Sequence, residues 1–260
     1  MTSVRSPRSP ERGGGYTLLE LAVAILVIAL LTGTLALPLA AQVELRRTEE
    51  TRRRLGEARD VLLAFAATHG RLPCPASGTS RGEESFDASG DASDGRCAHF
   101  TDGWLPAATL GLAPLDADGY LRDAWDTPRS RVRYAVYGGA VNGVAQALTR
   151  TNGLQAATLP AIGAQSHYLF VCVSAAGASA AGCGPATNQL TRRAAFVLHS
   201  AGADASRDAV GVDEARNLAG DGTFVSRDAG DDPRNPFDDV VQWTPVHLVV
   251  HRMLAAGRLP

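Results

Sequence analysis

One acidic side chain, Glu20, interrupts the most apolar stretch of this 260-residue sequence. From Leu21 to Ala41 no residue is charged, and most are Leu, Ala, Val or Ile. A carboxylate in hydrocarbon costs roughly several kcal/mol and is rarely kept without a partner or a function. If the chain is cut after Gly15, the new α-amino group of Tyr16 is a cation one helical turn from Glu20. This pairing would make the carboxylate tolerable in an apolar environment.

The apolar run is long enough to cross a bilayer, because about 20 residues at about 1.5 Å rise each cover about 30 Å. Residues 1–15 carry Arg5, Arg8 and Arg12 against the single acid Glu11. Three interpretations compete: a secretory signal peptide, an uncleaved signal anchor, and a short leader cut at its C-terminal glycine. The run exceeds the roughly 7–15 residues of a signal peptide, and the carboxylate in the run favours the cut leader.

The sequence at residues 15–20 is GYTLLE, and a long apolar helix follows it. This order resembles the class III leader site of type IV pilins and type II secretion pseudopilins. The resemblance implies that a prepilin peptidase cuts between Gly15 and Tyr16, that Tyr16 is N-methylated, and that Glu20 guides subunit assembly. The usual first mature residue in that family is Phe, so Tyr16 is a departure. The implied partners are the peptidase, other pilins or pseudopilins in a filament, an inner-membrane assembly platform and the lipid bilayer.

A second part of the chain also resembles pseudopilin-like proteins. Leu72–Pro75 reads Leu-Pro-Cys-Pro, and Asp123–Pro128 forms a turn motif in which Asp126 replaces the usual glycine. Asp tolerates the unusual turn dihedrals that such a position needs. Two C-terminal motifs at residues 237–243 and 256–260 extend the resemblance over nearly the whole chain.

The elements that would position these residues follow from periodicity. After Ala41, charges of both signs alternate with apolar side chains at three- and four-residue spacings, which predicts an amphipathic helix to about Thr68 with a solvated outer face. Its apolar residues are Leu55, Ala58, Leu62, Phe65 and Ala66. Strands are predicted at residues 132–137, 168–174 and 194–200.

The four cysteines contain no Cys-x-x-Cys pair, which favours disulfides over a metal site. Disulfides in turn imply an oxidising compartment such as the bacterial periplasm. Cys172 and Cys183 flank a turn of Gly, Ala and Ser, so we expect them to pair, and elimination leaves Cys74 with Cys97. Four cysteines allow three connectivities, and this one closes the shortest loops. Buried free thiols are the competing interpretation.

The segment from Asp204 to Asp239 contains ten acidic residues and four arginines. One interpretation is a solvated acidic loop. The other is a calcium site, as in some major pseudopilins, although no 12-residue ligand loop is visible and Ca²⁺ takes about 6–8 oxygen ligands. The candidate calcium ligands are Asp204, Asp208, Asp221 and Asp228. No other cofactor is expected.

The sequence contains no phosphate loop and no dinucleotide fingerprint. The adjacency of His199 and Ser200 does not create a base and a nucleophile. His247 and His251 lie at i,i+4 without a third ligand, so a surface pair is expected. We therefore predict no catalytic residues. The formal net charge of −2 argues against a nucleic-acid partner.

The predicted fold class is α+β and pilin-like, with a long N-terminal helix packed on a small antiparallel β-sheet with long loops. The predicted segments are a removed leader (1–15), the transmembrane half (16–41) and amphipathic half (42–68) of the helix, and a periplasmic globular domain (69–260). The predicted location is the inner membrane, single-pass, with a cytoplasmic N-terminus.

The predicted function is a structural subunit of a type II secretion pseudopilus or a type IV pilus, as a minor component. The alternative is an uncleaved, membrane-anchored periplasmic domain with a binding or enzymatic role.

Overall fold

A computed structural model describes residues 17–205, 211–230 and 232–259, without the side chains of residues 31–40. Gly15, Tyr16 and Asp208, three of the predicted site residues, lie outside the described residues. The chain divides into two compact units, one ending at Arg46 and the other beginning at Arg47.

The described residues form five α-helices, one 3-10 helix and six strands, a mixed α/β architecture. The helices are α1 (Leu18–His69), α2 (Gly153–Ala157), α3 (Leu159–Ala164), the 3-10 helix (Ala186–Asn188), α4 (Val212–Asn217) and α5 (Val246–Ala255). The strands are β1 (Gly103–Trp104), β2 (Arg133–Val136), β3 (Leu169–Cys172), β4 (Gln189–Ser200), β5 (Thr223–Val225) and β6 (Val240–Pro245).

Strand β4 is the longest strand and organises the sheet. Its residues Phe196–His199 pair with β2 along one edge and with β6 along the other, while its first half pairs with β3. These pairings are antiparallel, as is that of β1 with β2. Strand β3 then pairs with β5 in parallel, which makes the sheet mixed.

The predicted fold class is wrong. In place of a small antiparallel sheet, the described residues form a mixed, six-stranded sheet. Strand β5 is the reason: it has three residues within a stretch predicted to be loop, too few to show a strand periodicity.

The predicted inner-membrane, single-pass arrangement is wrong as well. Among the residues that the structure describes, no helix combines the length and the apolar character needed to cross a membrane.

One face of α1 in the second unit packs on the sheet, as the periodicity predicted. Leu55, Ala58, Leu62 and Ala66 are fully buried, and Phe65 is nearly so. The first four belong to one core with inward-facing sheet residues, namely Tyr134, Val136, Phe196 and Leu198. This apolar layer fixes the second part of α1 against strands β2 and β4.

A buried ion pair lies just beyond the end of α1. The guanidinium of Arg71 donates from Nη1 to Glu84 Oε1 (2.6 Å) and from Nη2 to Oε2 (2.9 Å), and the two side chains are 2% and 4% exposed. Glu84 Oε1 also accepts the amide of Cys74 (2.7 Å), and Arg71 donates to the carbonyl of Ala92 (2.9 Å). Because both charges have several hydrogen-bonding partners, the pair can exist away from water.

Both predicted disulfides are present. Cys74 bonds to Cys97 and Cys172 bonds to Cys183. The first bridge lies beside the Arg71–Glu84 pair, where Gly95 has φ +71° and a Cβ would approach the carbonyl oxygen of Thr149 to 2.1 Å. Only glycine fits this position, so the loop between Glu84 and Cys97 can close over Arg71.

We expect Arg71→Met to lower the free energy of unfolding by about 3–5 kcal/mol, because Glu84 would stay buried without its partner. Urea unfolding followed by circular dichroism measures the change. Arg234→Met is the matched control, since Arg234 is 90% exposed, and it should cost no more than about 0.5 kcal/mol. Equal stability of the two variants would contradict this account of the buried pair.

Candidate functional site

The N-terminal part of α1 presents an unusually apolar exposed surface. Because successive residues in a helix are separated by about 100°, the consecutive exposed residues 25–28 cover every side of it. Nine large apolar side chains are between 47% and 88% exposed: Leu18, Leu19, Leu21, Val23, Ile25, Leu26, Val27, Ile28 and Leu30. A helix that is hydrophobic all round is normally buried. We therefore expect an apolar surface outside the described residues to pack against it.

Glu20 lies in the first turn of this apolar helix and is exposed. Its amide donates to Thr17 Oγ1 at 3.2 Å, which caps the start of the helix. Thr-x-x-Glu is also the sequence of a capping box, in which the glutamate side chain would accept a hydrogen bond from the backbone amide of Thr17. Among the described residues, however, no group forms a hydrogen bond or ion pair with the Glu20 carboxylate. A structural role in capping and a role in assembly are therefore separate hypotheses.

Three carboxylates meet at a second place, within the second unit. Asp204, Glu214 and Asp238 bring one oxygen each to within 4.8 Å of one another. Glu214 is 3% exposed and accepts the amides of Gly211 and Asp238, while Asp238 Oδ2 accepts the amides of Ala203 and Asp204. Backbone amides thus hold like charges together.

Burial, together with the neighbouring charges of Asp204 and Glu214, raises the pKa of Asp238 to about 7. Within the described part of the chain, Asp238 Oδ1 is buried without a hydrogen-bond partner. Such a cluster can share protons or contribute oxygens to a cation. Three carboxylates are fewer than the about 6–8 oxygens around Ca²⁺.

The structure describes three of the four predicted calcium ligands and does not bring these three together. Asp204 belongs to the carboxylate cluster, but Asp221 pairs with Arg216 and accepts the amide of Thr223. Asp228 is exposed and is not part of the cluster. Sequence reasoning missed Glu214 and Asp238 because α4 and the entry to β6 bring them together only in the folded chain.

His199 and Ser200 do not form a catalytic pair. They are adjacent on β4, so their side chains point to opposite faces of the sheet. Ser200 Oγ donates to Asp123 Oδ2 at 2.6 Å. Burial, and secondarily the charge of Arg133, lowers the pKa of His199 to about 3. His199 is therefore a neutral, buried side chain. His247 and His251, at the other end of the chain, are both exposed.

A cleft of about 320 Å³ opens between the β1–β2 strands and the chain that follows β4. Trp104 and Arg133 are cross-strand partners, and the Arg133 guanidinium carbon lies 5.4 Å from the centroid of the Trp104 ring. Arg129 and Arg131 also line the cleft, and the opposite wall includes Asp204 and Asp239. Sequence reasoning missed this cleft, although arginine at every second position of residues 129–133 was a signal for one charged strand face.

Comparison with protein-family models, with curated proteins and with solved structures found no match. The resemblance to prepilin-type sequences at residues 15–20 therefore stays a prediction from the sequence. Function has to be inferred from three local features, namely the apolar start of α1, the carboxylate cluster and the cleft at Arg133.

The raised pKa of Asp238 predicts a pH dependence of stability. The folded chain holds this proton up to about pH 7, whereas an unperturbed aspartate loses it near pH 3.8. The contribution of Asp238 to stability should thus fall as pH rises between these values, because the folded state there binds more protons than the unfolded state.

We expect Asp238→Asn to lack this loss, so its stability relative to wild type should rise from pH 4 to pH 8. Urea unfolding at a series of pH values measures the difference, and His199, present in both chains, cancels from it. Asp60→Asn, at an exposed position of α1, should follow the wild type. A difference between Asp238→Asn and wild type that is constant with pH would refute the prediction.

Proposed function

We propose that this chain is a prepilin-like structural subunit. A prepilin peptidase would cut it between Gly15 and Tyr16, the new N-terminus at Tyr16 would be methylated, and the subunit would assemble into a type II secretion pseudopilus or a type IV pilus. The observation that carries the proposal is the start of α1, where exposed apolar side chains surround the helix and Glu20 lacks a described partner.

Helices of identical subunits are a suitable cover for this surface. Complete burial stabilises a large apolar side chain by about 1.5–3 kcal/mol, and nine such side chains are exposed on α1. The total is large enough to exceed the cost of association, which is about 4–15 kcal/mol. Packing between neighbouring helices would therefore drive assembly without any contribution from the second unit.

Glu20 would set the register of this packing. Apolar side chains alone can slide past one another, whereas a buried carboxylate needs a cation at one defined position. Cleavage after Gly15 supplies that cation as the amine of Tyr16, and the amine of one subunit would meet Glu20 of its neighbour. Processing would thus be a condition for assembly, because an uncut chain has no amine at this place.

The second unit would add a large, loop-rich body to each subunit. Its loops are long and are tied by two disulfides and by the Arg71–Glu84 pair. Bulky loops crowd a helical lattice, so we propose a minor component instead of the main repeating unit. Counting copies in purified filaments tests this point, and a ratio near one copy per major subunit would exclude it.

The competing function is an uncleaved chain whose second unit binds a ligand, and the cleft at Arg133 is the observation in its favour. Intact mass and N-terminal sequencing of the purified protein decide between the two. We expect a chain that begins at N-methylated Tyr16. A chain that retains residues 1–15 in a cell with active prepilin peptidase would favour the competing function.

We expect Glu20→Gln to be cleaved and methylated normally but to enter filaments at least tenfold less than wild type. Glutamine can replace glutamate in a capping box, so this substitution removes the charge and keeps the capping geometry. Quantitative immunoblotting of sheared filaments measures incorporation, and mass spectrometry confirms processing.

Glu49→Gln is the matched control, because Glu49 is an exposed glutamate further along α1 that pairs with the exposed Arg52. It should enter filaments like wild type. If Glu20→Gln did the same, the carboxylate would have no role in assembly, and capping would account for Glu20.

A further inference from the structure

We propose that the cleft between strands β1–β2 and the chain after β4 binds a small carboxylate ligand, with the guanidinium of Arg133 as its anchor. This site is separate from the apolar start of α1, and the inference does not depend on the proposed assembly function.

Of the arginines that line the cleft, Arg133 is the one we expect to bind an anion. In the described part of the chain its guanidinium forms no hydrogen bond and no ion pair. The neighbouring Arg131, by contrast, bonds to Asp116 and Asp118. Asp102 and Asp239 attract Arg133 at longer range, and burial lowers its pKa. A guanidinium that loses water without gaining an acceptor is costly, and a bound anion would relieve that cost.

Trp104 lies beside the guanidinium of Arg133. The two residues are direct partners across β1 and β2, and the guanidinium carbon lies 5.4 Å from the centroid of the indole ring, within the range of a cation–π contact. Because this contact uses no N–H group, the planar fork of the guanidinium can still match the two oxygens of a carboxylate. Arg133 can therefore position a ligand in addition to attracting it.

The charges of the opposite wall favour a monoanion over a dianion. Asp204 lines the cleft and lies in the carboxylate cluster with Glu214 and Asp238. A phosphate dianion would be repelled by this cluster, whereas a single negative charge matches the single unpaired guanidinium. Asp239 also lines the cleft, and burial raises its pKa, which favours its neutral form and weakens its repulsion of an anion.

The remaining lining and the size of the cleft define the body of the ligand. At about 320 Å³ the cleft is at the lower end of small-molecule sites, which span about 300–1,000 Å³. Beside its charged residues the cleft has an apolar lining, which suits a short aliphatic or aromatic group attached to the carboxylate. This lining is formed by Trp104, Pro128, Ala201, Ala205 and Leu218.

Benzoate is a suitable probe, titrated into the purified, ¹⁵N-labelled full chain. Binding should shift the indole N–H signal of Trp104 saturably, with the signal assigned by Trp104→Phe. Benzamide, the neutral analogue of the same shape, and inorganic phosphate should both bind at least tenfold more weakly than benzoate. The absence of a saturable shift with millimolar benzoate would overturn the proposal, and tighter binding of phosphate would overturn the assignment of the ligand class.

Arg133→Gln should weaken benzoate binding by about tenfold or more, as expected for loss of a charge-assisted hydrogen bond. Arg234→Gln removes the same charge from an exposed position outside the cleft and should change the affinity less than twofold. Arg133→Lys keeps the charge without the planar fork and should be intermediate. Matching thermal unfolding of the variants and wild type excludes misfolding, and unchanged affinity in Arg133→Gln would refute the site.

Discussion

The buried pair of Arg71 and Glu84 is the interaction on which the rest of the second unit depends. It lies where α1 gives way to a loop, and its oxygens and N–H groups also hold the amide of Cys74 and the carbonyl of Ala92. The Cys74–Cys97 bridge closes the same loop covalently. Without this clamp a long segment poor in secondary structure would have only turns to define its path. Because both charges are buried, removing one of them lowers the free energy of unfolding more than replacing both with apolar residues would.

Strand β4 is part of a sheet whose two faces differ. Leu198 and its β2 partner Tyr134 face α1 and form the main core. The next pair along, His199 and Arg133, points to the other face. There the apolar packing is thinner, the carboxylate cluster and the cleft lie nearby, and pKa values depart from their usual range. The core face thus stabilises the fold. The opposite face carries buried polar groups, among them His199 Nδ1 and Asp238 Oδ1, without a hydrogen-bond partner in the described part of the chain.

Local patterns predicted part of this structure. The turn between Cys172 and Cys183 was visible as a Gly, Ala and Ser run, so both disulfides could be paired correctly. Asp126 does adopt the left-handed conformation, with φ +51°, that the usual glycine of its motif would supply. What failed was long-range: β5 is too short to show a period, and the carboxylate cluster and the Trp104–Arg133 pair join residues distant in sequence. Sequence spacing holds no information on such contacts until the strand order is known.

The apolar start of α1 and the cleft at Arg133 require different kinds of partner. The start of α1 exposes a large apolar area, and only another extended apolar surface can remove so much area from water. The cleft presents one guanidinium on an indole, and a few atoms of the right charge suffice to satisfy it. An apolar partner gains nothing from Arg133, and a small anion covers none of α1. The proposed assembly and the proposed ligand site use different residues, so we expect substitutions at one of them to leave the other unaffected.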